Sequence, residues 1–333
     1  MEELQSRYRN SVTTRGFEYH YLSIPAQPGK PTLLFLHGFP STSYDWYRQI
    51  EFFEPKGYGL VVPDMLGYGG TAKPVEPAAF LHTAIAQDIV DILDAEGSKD
   101  VFAIGHDWGS GITTILAIKH ADRFAGFGWV AVPYSPPRDF PPLEIIFKAH
   151  AEGYGRPLLG YWTLFRQDEA AAKVETNLDS MLDVLYPADP EIWKTYMNLP
   201  GELEKFVQQG KRLEKAPYLT DAHYHHIRKS LADGGLTSPL NWYKCMVQGI
   251  NNSIKDNITD EELHFKKPAF FAAAKFDYVC PIQYAILQMK QYAAVDAELL
   301  TLEEFDTGHY VQLERYQEFN SALERWITNE FSK

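Results

Sequence analysis

The sequence predicts an α/β protein in which a mostly parallel sheet is interrupted by a helical insertion. Three observations support this fold class. Short apolar runs alternate with helical patterns in the first third of the 333-residue chain, a proline-rich segment ends that alternation, and a long helical stretch precedes a further apolar run near residue 270. Strands that alternate with helices form parallel sheets with helices on both faces.

The strand predictions rest on runs that are β-rich or continuously apolar. A continuous apolar run is typical of a strand that is buried on both faces of a sheet. The predicted strands are Phe17–Ile24, Thr32–Leu36, Leu60–Pro63, Val101–Ile104, Phe127–Val132 and Pro268–Ala274. Helical periodicity predicts core helices at Ala84–Leu93, about Gly109–His120 and near Tyr316–Phe331.

A proline-rich segment marks the boundary of the insertion. Residues 133–142 contain five prolines in ten positions, which is incompatible with regular structure. From there to Asn251 the periodicity is helical, for example at Asn177–Leu185 and Glu202–Leu213. We therefore predict a core of residues 1–136 and 252–333, and a helical cap domain of residues 137–251.

Composition and charge exclude several classes of protein. The formal net charge of −13 argues against a nucleic acid or an anionic membrane surface as a partner. Two cysteines do not form a disulfide framework, and the polar start of the chain lacks the apolar region of a signal peptide. No apolar run reaches the ~18 residues of a membrane span. We expect a cytoplasmic protein without a membrane span, as a monomer or a homodimer.

The most specific motif is Gly-His-Asp-Trp-Gly-Ser at residues 105–110, between a predicted strand and a predicted helix. The pattern Gly-x-nucleophile-x-Gly is that of a nucleophile elbow, a tight turn that raises its central side chain above the sheet. Here the central residue is Asp107. A carboxylate is ionised at pH 7, so it can attack an sp³ carbon without a base. The alternative is that Asp107 only caps the helix.

The elbow resembles that of soluble epoxide hydrolases and, more loosely, that of haloalkane dehalogenases in the α/β-hydrolase superfamily. The resemblance implies an α/β-hydrolase fold with an inserted cap. The loop His37, Gly38, Phe39 and Pro40 matches the family's His-Gly-x-Pro loop in position. By that resemblance, the backbone N–H groups of Phe39 and Trp108 form the oxyanion hole.

The same resemblance implies an acid and a base in two later loops. Asp277 follows a predicted strand, and His309 lies 32 residues further on, before the last helix. In the family pattern His309 activates the hydrolytic water and Asp277 orients its imidazole. Asp306 is the alternative acid.

Two cap tyrosines complete the resemblance. A phenol is a neutral donor at pH 7 and suits the oxygen of an opening epoxide. The segment around Tyr243 resembles the site of the family's second cap tyrosine, and Tyr161 fits the first, with Tyr154 as its alternative.

The resemblance therefore implies an enzyme that converts small apolar epoxides and water to vicinal diols through an ester on Asp107. No metal or organic cofactor is expected. One alternative is a haloalkane or haloacid dehalogenase with the same Asp-His-Asp triad, in which the Trp108 indole would also bind the halide. A non-catalytic ligand sensor on the same fold is a second alternative, and a serine esterase is disfavoured because position 107 is Asp.

Three histidines, His223, His225 and His226, cluster in one predicted cap helix. Residues 223 and 226 would share a helical face and could bind a metal ion. No matching set of further ligands is evident, so we predict a solvated helix instead.

Overall fold

The computed structural model describes residues 6–293 and 297–333, and in these residues the backbone forms one eight-stranded sheet. The strands are β1 (Tyr8–Val12), β2 (Glu18–Ile24), β3 (Thr32–Leu36), β4 (Gly59–Pro63), β5 (Val101–His106), β6 (Phe124–Val130), β7 (Ala269–Ala274) and β8 (Leu300–Phe305). Their order across the sheet is β1-β2-β4-β3-β5-β6-β7-β8.

The sheet is antiparallel at one edge and parallel elsewhere. Strand β2 pairs antiparallel with both β1 and β4, whereas every other pair of neighbours is parallel. The predicted fold class, an α/β protein with a mostly parallel sheet, is therefore confirmed.

Helices connect these strands and cover the sheet. The α-helices are α1 (Tyr47–Phe53), α2 (His82–Ala95), α3 (Trp108–Lys119), α4 (Leu143–Tyr154), α5 (Trp162–Phe165), α6 (Ala170–Glu175), α7 (Leu178–Leu185), α8 (Trp193–Tyr196), α9 (Glu202–Gln208), α10 (Asp221–Gly234), α11 (Thr237–Val247), α12 (Ile282–Tyr292), α13 (Val311–Glu314) and α14 (Tyr316–Phe331). Turns of 3₁₀ helix lie at Ser43–Trp46, Glu54–Lys56, Pro77–Phe80, Ala121–Arg123, Pro190–Ile192, Ile250–Asn257, Asp260–Leu263 and Ala297–Leu299. In the part of the chain that the structure describes, no helix is both long and apolar enough to cross a membrane.

The two edge strands β1 and β8 were not predicted. Their sequences, YRNSV and LTLEEF, are half exposed and mix polar with apolar residues, so neither gives a buried apolar run. The predicted helix Glu202–Leu213 was too long. It ends at Gln208 because Gly210 adopts a positive φ of 60°, which ends a helix.

Alternate side chains of the buried strands feed two apolar layers, one on each face of the sheet. In β3, Leu34 and Leu36 pack into one layer, and Leu33 and Phe35 pack into the other. The second layer is closed by α14 through Trp326. The alternation follows from the two-residue period of a strand, and it buries both faces as the continuous apolar runs predicted.

The helices of residues 143–247 lie between β6 and β7 in the chain and pack onto the sheet domain. Helix α11 is fixed there by three hydrogen bonds to the loop after β4. Trp242 Nε1 donates to the Leu66 carbonyl at 3.0 Å. The Ser238 and Asn241 side chains donate at 2.8 Å to the carbonyls of residues 74 and 75. The boundaries 137 and 251 of the cap domain stay a prediction.

One cap histidine joins the two parts, and for this residue alone the prediction of a solvated position is wrong. His223 is completely buried, and its Nε2 lies 2.7 Å from Oδ1 of Asp45 in the sheet domain. His226 is half buried and contacts Thr42 Oγ1 at 3.1 Å, while His225 is exposed. The described residues contain no group of side chains that could hold a metal ion.

Candidate active site

Asp107 occupies a sharp turn between β5 and α3. Its φ of 54° and ψ of −120° are costly for a residue with a Cβ, and such strain is typical of functional turns. The glycines on either side have no room for a side chain. A Cβ at Gly105 would lie 2.3 Å from the Gly109 carbonyl oxygen, and one at Gly109 would lie 2.1 Å from that of Leu36. The local sequence therefore folds as the nucleophile elbow that the motif predicted.

The Asp107 carboxylate has two different neighbours, one for each oxygen. Oδ1 accepts a hydrogen bond of 2.8 Å from the backbone N–H of Phe39, and Oδ2 lies 3.6 Å from His309 Nε2. Burial raises the pKa of Asp107, but the hydrogen bond and charge of His309 outweigh it, so the pKa lies below its usual value. Asp107 is therefore ionised at neutral pH.

His309 lies between two carboxylates. Its Nδ1 is 2.6 Å from Oδ2 of Asp277, whose other oxygen accepts the backbone N–H groups of Val279 and Cys280 at 2.8 and 2.9 Å. Burial lowers the pKa of His309, but the charges of Asp277 and Asp107 outweigh it and raise the pKa to about 10. The resting imidazole is thus protonated, and it donates from Nδ1 to Asp277.

The alternative acid lies outside this arrangement. The Asp306 side chain is mostly exposed and pairs with Lys275 Nζ at 2.9 Å. The loop of His309 is instead tied to the elbow, because His106 Nε2 donates to the His309 carbonyl at 2.9 Å. Of the two candidate acids, only Asp277 contacts the imidazole.

The loop from His37 to Pro40 is held in place by the His37 ring. His37 Nδ1 donates to the Gly38 carbonyl at 2.9 Å, and its Nε2 accepts from the backbone N–H of Met65 at 2.9 Å. Burial lowers the pKa of His37, so the ring is neutral and can accept at Nε2. A Cβ at Gly38 would lie 2.1 Å from Asp107 Oδ1, so only glycine lets this loop approach the carboxylate.

The backbone N–H of Trp108 is the expected second oxyanion donor. Within the described chain, no hydrogen bond joins the Trp108 N–H to the Asp107 carboxylate. Trp108 is the first residue of α3, so its N–H is among those that a helix cannot satisfy internally. Its role stays a prediction.

Tyr161 and Tyr243 both face the carboxylate across a small cavity. Tyr161 precedes α5, Tyr243 lies in α11, and their ring centroids are 5.8 Å apart. Burial raises the pKa of each phenol well above its usual value, so both are neutral donors. Tyr154, the alternative to Tyr161, lies at the end of α4, and its ring is 6.1 Å from that of Tyr284.

The cavity itself is very small. It has a volume of about 20 Å³ and is lined by Asp107, His309, the two tyrosines and Phe39, among others. That space suffices for about one water molecule. A substrate larger than a water molecule therefore needs space beyond this cavity.

Comparison with known proteins identifies the family. Residues 31–316 match the family model described as the alpha/beta hydrolase fold. An epoxide hydrolase of Caballeronia sordidicola is 33% identical over 95% of this chain and 92% of its own. The chain belongs to the epoxide hydrolase family of the α/β-hydrolase superfamily. It is accordingly a hydrolase, as the resemblance of its motifs implied.

Other members of the epoxide hydrolase family agree in sequence and fold. Epoxide hydrolase A of Mycobacterium tuberculosis is 27% identical over 91% of this chain and 92% of its own. Among solved structures, epoxide hydrolase A from Mycobacterium thermoresistibile matches with a TM-score of 0.77 and 26% identity, covering 96% of this chain and 97% of that one.

Several residues of this epoxide hydrolase family member line the cavity without having been predicted, namely Leu185, Trp193, Met197, Val279 and Tyr310. Tyr310 directly follows the predicted base His309, so its position in the sequence could have indicated it. The cap residues could not be found in this way, because the cap helices carry no motif that fixes how they pack over the sheet.

Proposed function

We propose that this chain is an epoxide hydrolase that forms vicinal diols through a covalent ester on Asp107. One observation carries the proposal: an ionised carboxylate on an elbow faces two neutral phenols across one cavity. The carboxylate can attack carbon, and the phenols can protonate the oxygen that leaves it. The membership of the epoxide hydrolase family supports the same substrate class.

In the first step Asp107 Oδ2 attacks one carbon of the epoxide, and the bond from that carbon to the ring oxygen breaks. The ring oxygen takes a proton from Tyr161 or Tyr243, which leaves a phenolate and an ester with a free hydroxyl group. Oδ2 is the better attacking atom because Oδ1 is already engaged by the Phe39 N–H. The protonated His309 then returns its proton to the phenolate and becomes neutral.

In the second step neutral His309 takes a proton from water while the water oxygen attacks Cγ of Asp107. Negative charge develops on Oδ1, where the Phe39 N–H donates and the Trp108 N–H is the proposed second donor. The Cγ–Oδ2 bond breaks, and the imidazolium protonates the leaving diol oxygen. Asp107 then returns a proton to His309, which restores the resting ion pair. Asp277 keeps the imidazole oriented throughout.

The fate of the oxygen atoms tests this mechanism. With enzyme in excess over styrene oxide in ¹⁸O water, one turnover should place the label in the peptide that contains Asp107 and none in the diol. An Asp107→Asn variant should form no diol. Label in the diol after one turnover would contradict the ester mechanism.

A dehalogenase is the second candidate, because the buried indole Nε1 of Trp108 lies beside the Tyr243 hydroxyl, at the site, and is not bound to a backbone acceptor among the described residues. An indole N–H of this kind could stabilise a leaving halide. Release of chloride from 1-chlorobutane at a rate above that of diol formation would favour this function. If neither substrate reacts, the non-catalytic sensor becomes the better hypothesis. The cytoplasmic location and the oligomeric state stay predictions.

A further inference from the structure

A second, outer cavity adjoins the inner one at Asp107. Four residues line both cavities: Leu185, Trp193, His309 and Tyr310. The outer cavity has a volume of about 430 Å³, against about 20 Å³ for the inner one. The outer volume is in the range of small-molecule sites, roughly 300–1,000 Å³, and the inner volume is far below it. The inner cavity alone therefore cannot hold an epoxide with a large substituent.

Three of the four shared side chains are fixed in place. Trp193 Nε1 donates to the Val184 carbonyl at 2.7 Å, and the Tyr310 ring stacks on Tyr186 at 4.3 Å. His309, the proposed base, is held by its contact with the Asp277 carboxylate. Leu185 is different, because an aliphatic side chain has no polar anchor and can change rotamer without breaking a hydrogen bond. It is also the last residue of α7, so no further helical turn packs against it.

The other walls of the inner cavity are closely packed. Phe39, Tyr161, Met197 and Tyr243 are each at most 6% exposed, and Leu185 is equally buried at 3%, but none of the first four lines the outer cavity. Tyr161 is also tied to Met197 through a backbone hydrogen bond of 2.9 Å. Movement of these residues would disturb the oxyanion loop or the phenols. The side of Leu185 is therefore where a substrate can gain space, because the outer cavity lies beyond that side chain.

The outer cavity offers mainly apolar and aromatic surface. Its walls include Leu313, Tyr218 and Phe276 as well as the shared Trp193 and Tyr310. Rings of this kind favour an apolar, and above all an aromatic, group through burial and edge-to-face contact.

We propose that the outer cavity binds the bulky apolar arm of an asymmetrically substituted epoxide and that Leu185 moves aside to admit it. The inference rests on the proposed function and refines its substrate class. Epoxides with one aryl or long alkyl arm, and only small groups on the other carbon, are the preferred substrates. Epoxides with a bulky group on each carbon are excluded by the packed opposite wall.

The test compares kcat/KM for phenyl glycidyl ether, which has one aryl arm, with kcat/KM for propylene oxide. Ala188→Trp fills the outer cavity from an exposed position, so the fold should survive. The ratio of the two kcat/KM values should fall about tenfold or more, as expected when a hydrophobic pocket is lost. Leu185→Ala, which removes three carbons from the shared wall, should raise the ratio.

Ser230→Trp is the matched control. It adds the same side chain to a different groove, beside His226 and Lys229, and should leave the ratio unchanged. The wild-type chain should also turn over trans-stilbene oxide at least about tenfold more slowly than phenyl glycidyl ether.

An unchanged ratio in Ala188→Trp, or equal turnover of trans-stilbene oxide and phenyl glycidyl ether, would overturn the inference while leaving epoxide hydrolysis intact. Failure of the wild-type chain to form a diol from any of these epoxides would instead refute the proposed function on which the inference rests.

Discussion

Replacement of His309 by Gln should convert the chain from a catalyst into an acceptor of one substrate molecule. Gln cannot take a proton from water, so ester hydrolysis should slow by roughly 10²–10⁴-fold, the usual contribution of a general base. Attack by Asp107 needs no base and should survive. His309→Gln mixed with styrene oxide should therefore gain the mass of one intact epoxide per chain.

The structure also predicts a cost to the first step. The 3.6 Å between His309 Nε2 and Asp107 Oδ2 corresponds to an attraction of about 5 kcal/mol at an effective dielectric constant of about 20. Loss of that charge should raise the pKa of Asp107, because the carboxylate stays buried but loses its nearest positive partner. Labelling should hence be faster at about pH 9 than at about pH 7, because a larger fraction of the Asp107 carboxylate is ionised at the higher pH.

The assay is intact-protein mass spectrometry over time, at both pH values. Asp107→Asn should show no adduct, and His225→Gln, which changes an exposed cap histidine, should turn over without accumulating one. The reasoning is refuted if His309→Gln stays unlabelled with epoxides that the wild-type chain hydrolyses, or if the label survives in Asp107→Asn combined with His309→Gln.

Three further perturbations have defined outcomes. Asp277→Asn should lower kcat by roughly 10³-fold, because the imidazole loses its orienting acceptor, and quenched-flow mass spectrometry should show the ester accumulating during turnover. Tyr161→Phe and Tyr243→Phe should each slow ester formation by about 10²-fold, because one proton donor to the epoxide oxygen is lost. The rate at which a preformed ester hydrolyses should not change. Stopped-flow tryptophan fluorescence separates the two steps, and an equal loss in both would contradict the donor roles. His223→Ala should destabilise the fold by about 3–5 kcal/mol in urea titrations, because buried Asp45 would lose its imidazole partner and keep only the weaker Ser41 hydroxyl contact. Burial raises the pKa of Asp45, but His223 outweighs it and the folded pKa is lowered. The stabilisation should therefore be complete above the unfolded pKa of about 3.9 and be lost as the pH falls through the lower folded value, which thermal melts at acidic pH can follow.

The core of the site could be predicted because each part is a short motif directly after a strand. Asp107, the loop at Phe39 and the acid at Asp277 all follow runs whose burial is evident from the sequence alone. Carboxyl ends of neighbouring parallel strands meet at one edge of a sheet, so local motifs there converge in space.

The cap could not be predicted to the same depth. Its helices are evident from periodicity, but which face each one turns to the sheet depends on tertiary packing. His223 illustrates the difference, since it belongs to a helix whose sequence is polar, HYHHIRK, and yet it is buried against Asp45. Leu185 is similar, since nothing in its sequence context distinguishes it from an ordinary core leucine.

The glycines around the elbow cannot be varied in laboratory evolution, whereas positions along the cap side of the cavity can. At Gly38 and Gly109 even a methyl group would lie 2.1 Å from Asp107 Oδ1 or from the Leu36 carbonyl oxygen. Libraries that randomise these positions should therefore consist almost entirely of inactive clones. Diversity placed instead along the cap side of the cavity leaves the reacting atoms where they are, so new selectivity should be found there with far fewer variants screened.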